Sequence, residues 1–304
     1  MKNERERKKQ NCLFLDIVCL SVIYSQPDRM ITVDTHVFPS PSIVDVFVYI
    51  FLVLFVTTLW VYIYRHRSFK FLALAMFFPG VFAFGFHLYH GSFFRFLSFL
   101  FLKPQWSTVY WSIFASLSSI VTVLICCLSN WIIGWGKFSR KEVTSVAIHE
   151  HNRNMFSGWI RAFGEELGWR SYLLPALFIH FHPFIALNIS GIVWGFYHVP
   201  IMILLCSQPE CHVQYPLRTI VVQFLSCWIS AFVYGWIAIQ CQYSIIPPTM
   251  THFVWNRINT LLLGSIYTNT SGWLTGEQWK INGEGLMGCC VYFFLAICIT
   301  IQLW

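Results

Sequence analysis

The sequence predicts an all-α protein, a polytopic membrane helical bundle with about eight transmembrane helices. Of its 304 residues, 57% are hydrophobic and only 11% are charged, against roughly 25% charged in soluble domains. The apolar residues are gathered into runs that approach or exceed the ~20 residues needed to cross a ~30 Å hydrocarbon core. Seven such runs are Ile43 to Tyr64, Phe71 to Tyr89, Val109 to Ile133, Pro183 to Cys206, Ile220 to Gln240, Ile246 to Leu263 and Leu286 to Trp304. An eighth helix, Ser157 to Ile179, is apolar apart from Arg161 and a polar motif.

The flanking segments set the organisation. Residues 1–41 form a basic head (Lys2, Arg5, Arg7, Lys8, Lys9) followed by a short apolar stretch, an anchor or signal-like segment outside the core. Residues 42–304 form one helical membrane domain. The net charge of +7 is no nucleic-acid signature, because the basic residues cluster at helix ends. Arg65, Arg67 and Lys70 follow the first long run, and Lys137, Arg140 and Lys141 follow the third. The positive-inside tendency places both groups on the cytosolic side.

Eleven cysteines could indicate a disulfide or zinc framework. Most, such as Cys126, Cys127, Cys206, Cys227, Cys289, Cys290 and Cys298, lie inside apolar runs, and no CxxC pair occurs, so they read as packing residues. His149-Glu150-His151 lacks a regular ligand spacing and reads as an interfacial loop. Asn269-Thr270-Ser271 is a glycosylation sequon that this orientation would leave in the cytosol.

Three helices carry polar groups that a lipid-facing surface does not need. Gly164-Glu165-Glu166-Leu167-Gly168-Trp169-Arg170 holds the adjacent carboxylates Glu165 and Glu166. Ionisable groups at membrane depth cost about 2.5–3.5 kcal/mol each on insertion scales, so their presence points to use. Glu166 and Arg170 are four apart and meet on one face, whereas Glu165 is turned ~100° away and left to another partner or to water. Trp194 and His198 share a face of the next helix, beside Gly191 and Gly195, which permit close helix approach. His252 and Asn256 are one turn apart on a third helix, just after Pro247 and Pro248 at its start. At 1.5 Å per residue, Glu165, His198 and His252 lie ~12 to ~17 Å from the same side, deep enough to form one cluster. Taken separately, Glu166 with Arg170 also fits a structural ion pair, and each histidine a hydrogen-bonded core residue. Together they satisfy one another's polarity.

In order, Glu165-Glu166-x-x-x-Arg170, Trp194-x-x-x-His198 and His252-x-x-x-Asn256 resemble the CAAX protease and bacteriocin-processing (Abi) family of intramembrane proteases over about residues 106–263. Trp194 stands where the family pattern usually has Phe. The resemblance implies a membrane peptidase that trims prenylated CAAX proteins at the endoplasmic reticulum membrane. It makes Glu165 the water activator, Glu166 and Arg170 its orienting partners, His198 a second polarising group, and His252 with Asn256 the oxyanion side. The expected partners are the lipid bilayer and a lipidated or membrane-anchored protein substrate, with no nucleic acid. No cofactor is required on the preferred reading, with Zn²⁺ held by Glu165, His198 and His252 as the alternative. The rival functions are a non-catalytic scaffold of the same fold and a proton- or ion-coupled transporter.

Overall fold

A computed structural model describes residues 41–66, 69–101, 106–139 and 155–303. The N-terminal basic segment, Arg67, Arg140, Lys141 and the His149-Glu150-His151 tract lie outside the described residues. Within them the fold is the expected helical bundle. Helices long and apolar enough to span a membrane cover Ile43–Tyr64, Trp106–Ile133, Pro183–Cys206, Pro216–Gln240 and Gln278–Leu303, and a shorter apolar stretch covers Ala73–Tyr89. The two remaining expected spans are also helical. One, Ile246–Leu262, has 17 residues, and the other is divided into three helical segments, so neither is a single long apolar helix.

Helix α1 (Ile43–Tyr64) starts at a capping box in which Ser42 and Asp45 satisfy each other's backbone amides. Val46, Tyr49, Val53, Thr57 and Val61 are buried on one side, while Val44, Phe47, Phe51 and Phe55 are exposed. An apolar outer face of this kind suits a helix whose outer solvent is lipid.

The expected Phe71 to Tyr89 helix is divided in three: α2 (Phe69–Leu72), a 3₁₀ segment (Ala73–Phe77) and α3 (Phe78–Tyr89). Pro79 stands in the first turn of α3. It supplies no backbone N–H for the preceding turn, which fits the change of helix type here, while Phe78 keeps a right-handed helical conformation. A short helix α4 (Phe93–Phe101) follows, then α5 (Trp106–Ile133).

The glutamate motif begins on α6 (Met155–Gly168), passes through a π-helical segment (Trp169–Leu173) and continues as α7 (Leu174–His180). The expectation of one unbroken helix missed this wide turn, a local form often associated with functional sites. Helix α8 (Pro183–Cys206) packs along α9 (Pro216–Gln240), α10 (Ile246–Leu262) packs against α5, and α9 also packs on α12 (Leu286–Leu303). The short helix α11 (Gln278–Ile281) leads into α12.

Glycines set the closest approaches. A Cβ on Gly191 would lie 2.5 Å from the Trp228 carbonyl, and one on Gly195 would lie 2.7 Å from the Phe224 ring, so the α8–α9 contact depends on both being glycine. A Cβ on Gly168 would lie 2.3 Å from Pro79 Cβ. That contact seats the start of α3 directly against the glutamate motif.

Two small antiparallel pairs close one end of the bundle: β1 (Lys137–Phe138) with β4 (Leu274–Thr275), and β2 (Gly264–Ser265) with β3 (Thr270–Ser271). Tyr64 at the end of α1 belongs to the same apolar cluster as Tyr267 of this loop. The ends of α1 and α5 that precede the two basic clusters therefore share one end of the molecule. Nine cysteines among the described residues are free thiols, and most are buried, consistent with packing.

Candidate active site

The three polar motifs converge at the junction of α6, α8 and α10. Glu165, Glu166 and Arg170 are each no more than 1% exposed, with His198 at 8% and His252 at 5%. Gly164 and Gly168 flank the carboxylates and admit the Met76–Pro79 backbone on the α3 side. The opposite side meets α8 and α10.

Glu166 is held by two cationic or potentially cationic partners. Arg170 Nη1 donates to Glu166 Oε1 at 3.3 Å and lies 3.2 Å from Oε2. His252 Nδ1 lies 2.7 Å from Glu166 Oε1, so the motif of α6 is tied to that of α10. The Arg170 guanidinium is also stacked over the rings of Trp194 at 4.1 Å and Tyr234 at 4.8 Å. A planar delocalised cation suits this position far better than an ammonium would.

Glu165 has a different environment. Trp194 Nε1 donates to Glu165 Oε2 at 3.1 Å, and Glu165 lines a cavity of about 320 Å³ that Glu166 and Arg170 do not line. His198, His252 and Asn256 line the same cavity. A volume of this order is enough for a peptide segment or a small ligand. His198 Nδ1 is 2.9 Å from the Trp194 carbonyl. A carbonyl only accepts, so Nδ1 carries the hydrogen and Nε2 keeps its lone pair. The imidazole is thus turned back onto its own helix instead of reaching across to a carboxylate, and its neighbour across the interface is Cys227, with Sγ 3.6 Å from Nδ1.

Leu72, Ala73, Gly158, Arg161, Arg257 and the Gly264–Tyr267 segment form the cavity's outer part. The cavity therefore extends toward the end that holds the β-pairs and the basic helix ends. Arg257, next to Asn256 on α10, has its guanidinium 5.6 Å from the Phe253 ring.

The zinc alternative needs Glu165, His198 and His252 as a ligand set. Among the described residues no group of three or more His, Cys, Asp or Glu side chains is arranged to hold a metal ion. As placed, Glu165, His198 and His252 are not gathered as a ligand set, and the chemistry below is written with the protein's own side chains.

The sequence motifs did not point to several residues of the site. Trp194 belongs to the second motif, but spacing alone does not show that its N–H is the direct partner of Glu165. Tyr234 and Tyr267 add aromatic walls, and Glu284 brings a third carboxylate into the cavity. Glu284 lies in Asn282-Gly283-Glu284-Gly285, between two apolar stretches. A charged residue enclosed by glycines at the head of a span was the available signal.

These features define a polytopic helical membrane protein with a carboxylate-centred cavity inside its bundle. Residues 154–258 match the family model described as Rce1-like, type II CAAX prenyl endopeptidase Rce1-like. That match, about a third of the chain, contains all three motifs and supports the resemblance to the CAAX protease and bacteriocin-processing family. A search of curated proteins finds no match.

Proposed function

We propose that the protein is an intramembrane endopeptidase that hydrolyses a peptide bond near the C-terminus of a lipidated or membrane-anchored protein, with prenylated CAAX proteins as the substrate class. The observation that carries this reading is the division of the two glutamates: Glu166 is neutralised by Arg170 and His252, whereas Glu165 faces the cavity. The family match supports the same activity.

In the proposed reaction, Glu165 takes a proton from water as the water oxygen bonds to the scissile carbonyl carbon. The lone pair on His198 Nε2 offers a second acceptor for that water. Charge developing on the carbonyl oxygen is met by the His252 and Asn256 side of the cavity, where fixed donors act without solvent reorganisation. Collapse of the tetrahedral intermediate breaks the C–N bond, and the proton passes to the leaving nitrogen. Glu166 and Arg170 hold the geometry and do not exchange protons.

The cavity's open end, shared with the basic helix ends, supports access from the cytosol, and an endoplasmic reticulum location follows from the substrate class. The test is cleavage of a prenylated CAAX peptide by purified protein in lipid, read by mass spectrometry. Wild type should release the C-terminal peptide, and Glu165→Ala should not while retaining its melting transition. Full cleavage by folded Glu165→Ala would remove Glu165 from the catalytic role, and no cleavage by folded wild type would leave the scaffold reading. Proton-driven flux in liposomes lost in Glu165→Gln, with no cleavage by wild type, would favour the transporter.

A further inference from the structure

Glu284 is a carboxylate placed with care. Its turn is pinned by a chain of side-chain amides: Asn259 Nδ2 donates to Asn282 Oδ1 at 3.0 Å, and the Gly283 amide donates to Asn259 Oδ1 at 3.0 Å. The Glu284 amide in turn donates to Asn282 Oδ1 at 2.9 Å. Asn282 Nδ2 reaches both the Gly264 carbonyl and Gln278 Oε1. Such a network fixes the backbone from which the Glu284 side chain enters the cavity.

The carboxylate interacts with the Tyr267 hydroxyl and the Trp255 indole. The Tyr267 hydroxyl itself accepts from Gln223 Nε2 at 3.1 Å. Glu284 Oε2 is buried and has no hydrogen-bond partner among the described residues. Leaving a buried acceptor unmatched costs about 1–3 kcal/mol, more when it is charged. Glu284 has no arginine or lysine ion-pair partner among the described residues. A ligand carrying a positive charge or an N–H would meet this demand.

Resting on the hydrolase reading above, we infer that Glu284 binds the leaving nitrogen of the substrate and holds the ammonium group of the departing peptide. The proton that Glu165 removed from water passes to the leaving nitrogen, so the C–N bond breaks to give an amine and a carboxylic acid; the acid's own proton then passes to the amine, leaving a carboxylate and an ammonium in the cavity. Glu165 regains its charge in the first of these transfers, and Glu284 supplies acceptor oxygens to the new N–H bonds. It is a partner for charge appearing late in the reaction, the kind of interaction that favours the transition state over the ground state. Glu284 lies outside the matched residues 154–258, so this function belongs to the part of the chain the family motifs do not describe.

The test compares two competitors of cleavage by the full-length protein in lipid: a short peptide of leaving-group sequence with a free amino terminus, and the same peptide N-acetylated. Wild type should be inhibited about tenfold more strongly by the free amine, a preference that Glu284→Gln should reduce to within about twofold. Glu284→Gln should also lower kcat by about tenfold or more, with less effect on KM. Equal inhibition of wild type by the two peptides overturns the inference and needs no variant that must fold. A preference retained in folded Glu284→Gln overturns it as well. If wild type binds the free amine selectively yet cleaves nothing, it is the hydrolase reading that fails.

Discussion

Trp194 donates its indole N–H to Glu165 across 3.1 Å, from a helix that approaches α6 only at the polar motifs. Phenylalanine fills much the same space but has no donor, so the bond depends on Trp at this position. A hydrogen bond to a charged group is worth about 1.5–3 kcal/mol, which as transition-state orientation is about ten- to a hundredfold in rate. Trp194→Phe should therefore lower kcat/KM for peptide cleavage by that factor, with a melting temperature in detergent close to wild type. Unchanged kinetics would show that Glu165 needs no indole to be positioned.

Glu166 and Arg170 should separate from Glu165 in their effects on stability. Removing one partner of a buried ion pair leaves the other uncompensated, at a cost of about 3–5 kcal/mol. Glu166→Gln and Arg170→Met should each lower the melting temperature markedly, whereas Glu165→Gln should mainly remove activity. Arg170→Lys should not rescue, because an ammonium cannot reproduce the planar contact with Trp194 and Tyr234. Thermal unfolding of the four variants beside cleavage assays decides between these roles.

Much of the site was legible because carboxylates, an arginine and histidines are conspicuous in apolar helices, and because i to i+4 spacing puts Glu166 beside Arg170 and Trp194 beside His198. Spacing along one helix cannot say which ring nitrogen faces which neighbour. The Glu166–His252 bond and the turned-back His198 therefore appear only once α8 and α10 are placed against α6. Glu284 was missed for a similar reason: the cation at helical spacing, Lys280, pairs instead with Glu277, and the significance of Glu284 comes from the Asn259–Asn282 contacts that cross from α10. The helix boundaries were read closely where a run ended at Pro or at polar residues, as at Pro183–Cys206, and less well where Pro79 divides one apolar run.

Gly168 tests the packing that seats the motif. A methyl group there would meet Pro79 Cβ at 2.3 Å and the Tyr49 hydroxyl at 2.5 Å, both on rigid or bonded groups, since Tyr49 donates to the Pro79 carbonyl at 3.0 Å. Overpacking of this kind costs about 1–3 kcal/mol. Gly168→Ala should lower the melting temperature and also reduce cleavage, because the strain falls two residues from Glu166. Gly85, where an added Cβ meets nothing within 4 Å, is the control: Gly85→Ala should leave both quantities unchanged or raise stability slightly.

The orientation of the cavity can be tested from its rim. Lys137 is exposed and pairs through β1 with Thr275 of β4, in the loop whose Gly264–Tyr267 portion lines the cavity. Asn269 lies in the same loop and donates from Nδ2 to the His212 carbonyl at 2.9 Å. If the cavity opens to the cytosol, Asn269 remains unglycosylated in a eukaryotic host. Lys137→Cys, compared with the wild-type background of native thiols, then reacts with a membrane-impermeant thiol reagent in sealed microsomes of cytosol-out orientation. Protection of that cysteine until the membrane is opened, or a glycan on Asn269, would place this end in the lumen. A cytosolic C-terminal peptide could not then reach Glu165 by the open end, and the substrate would have to enter from within the bilayer.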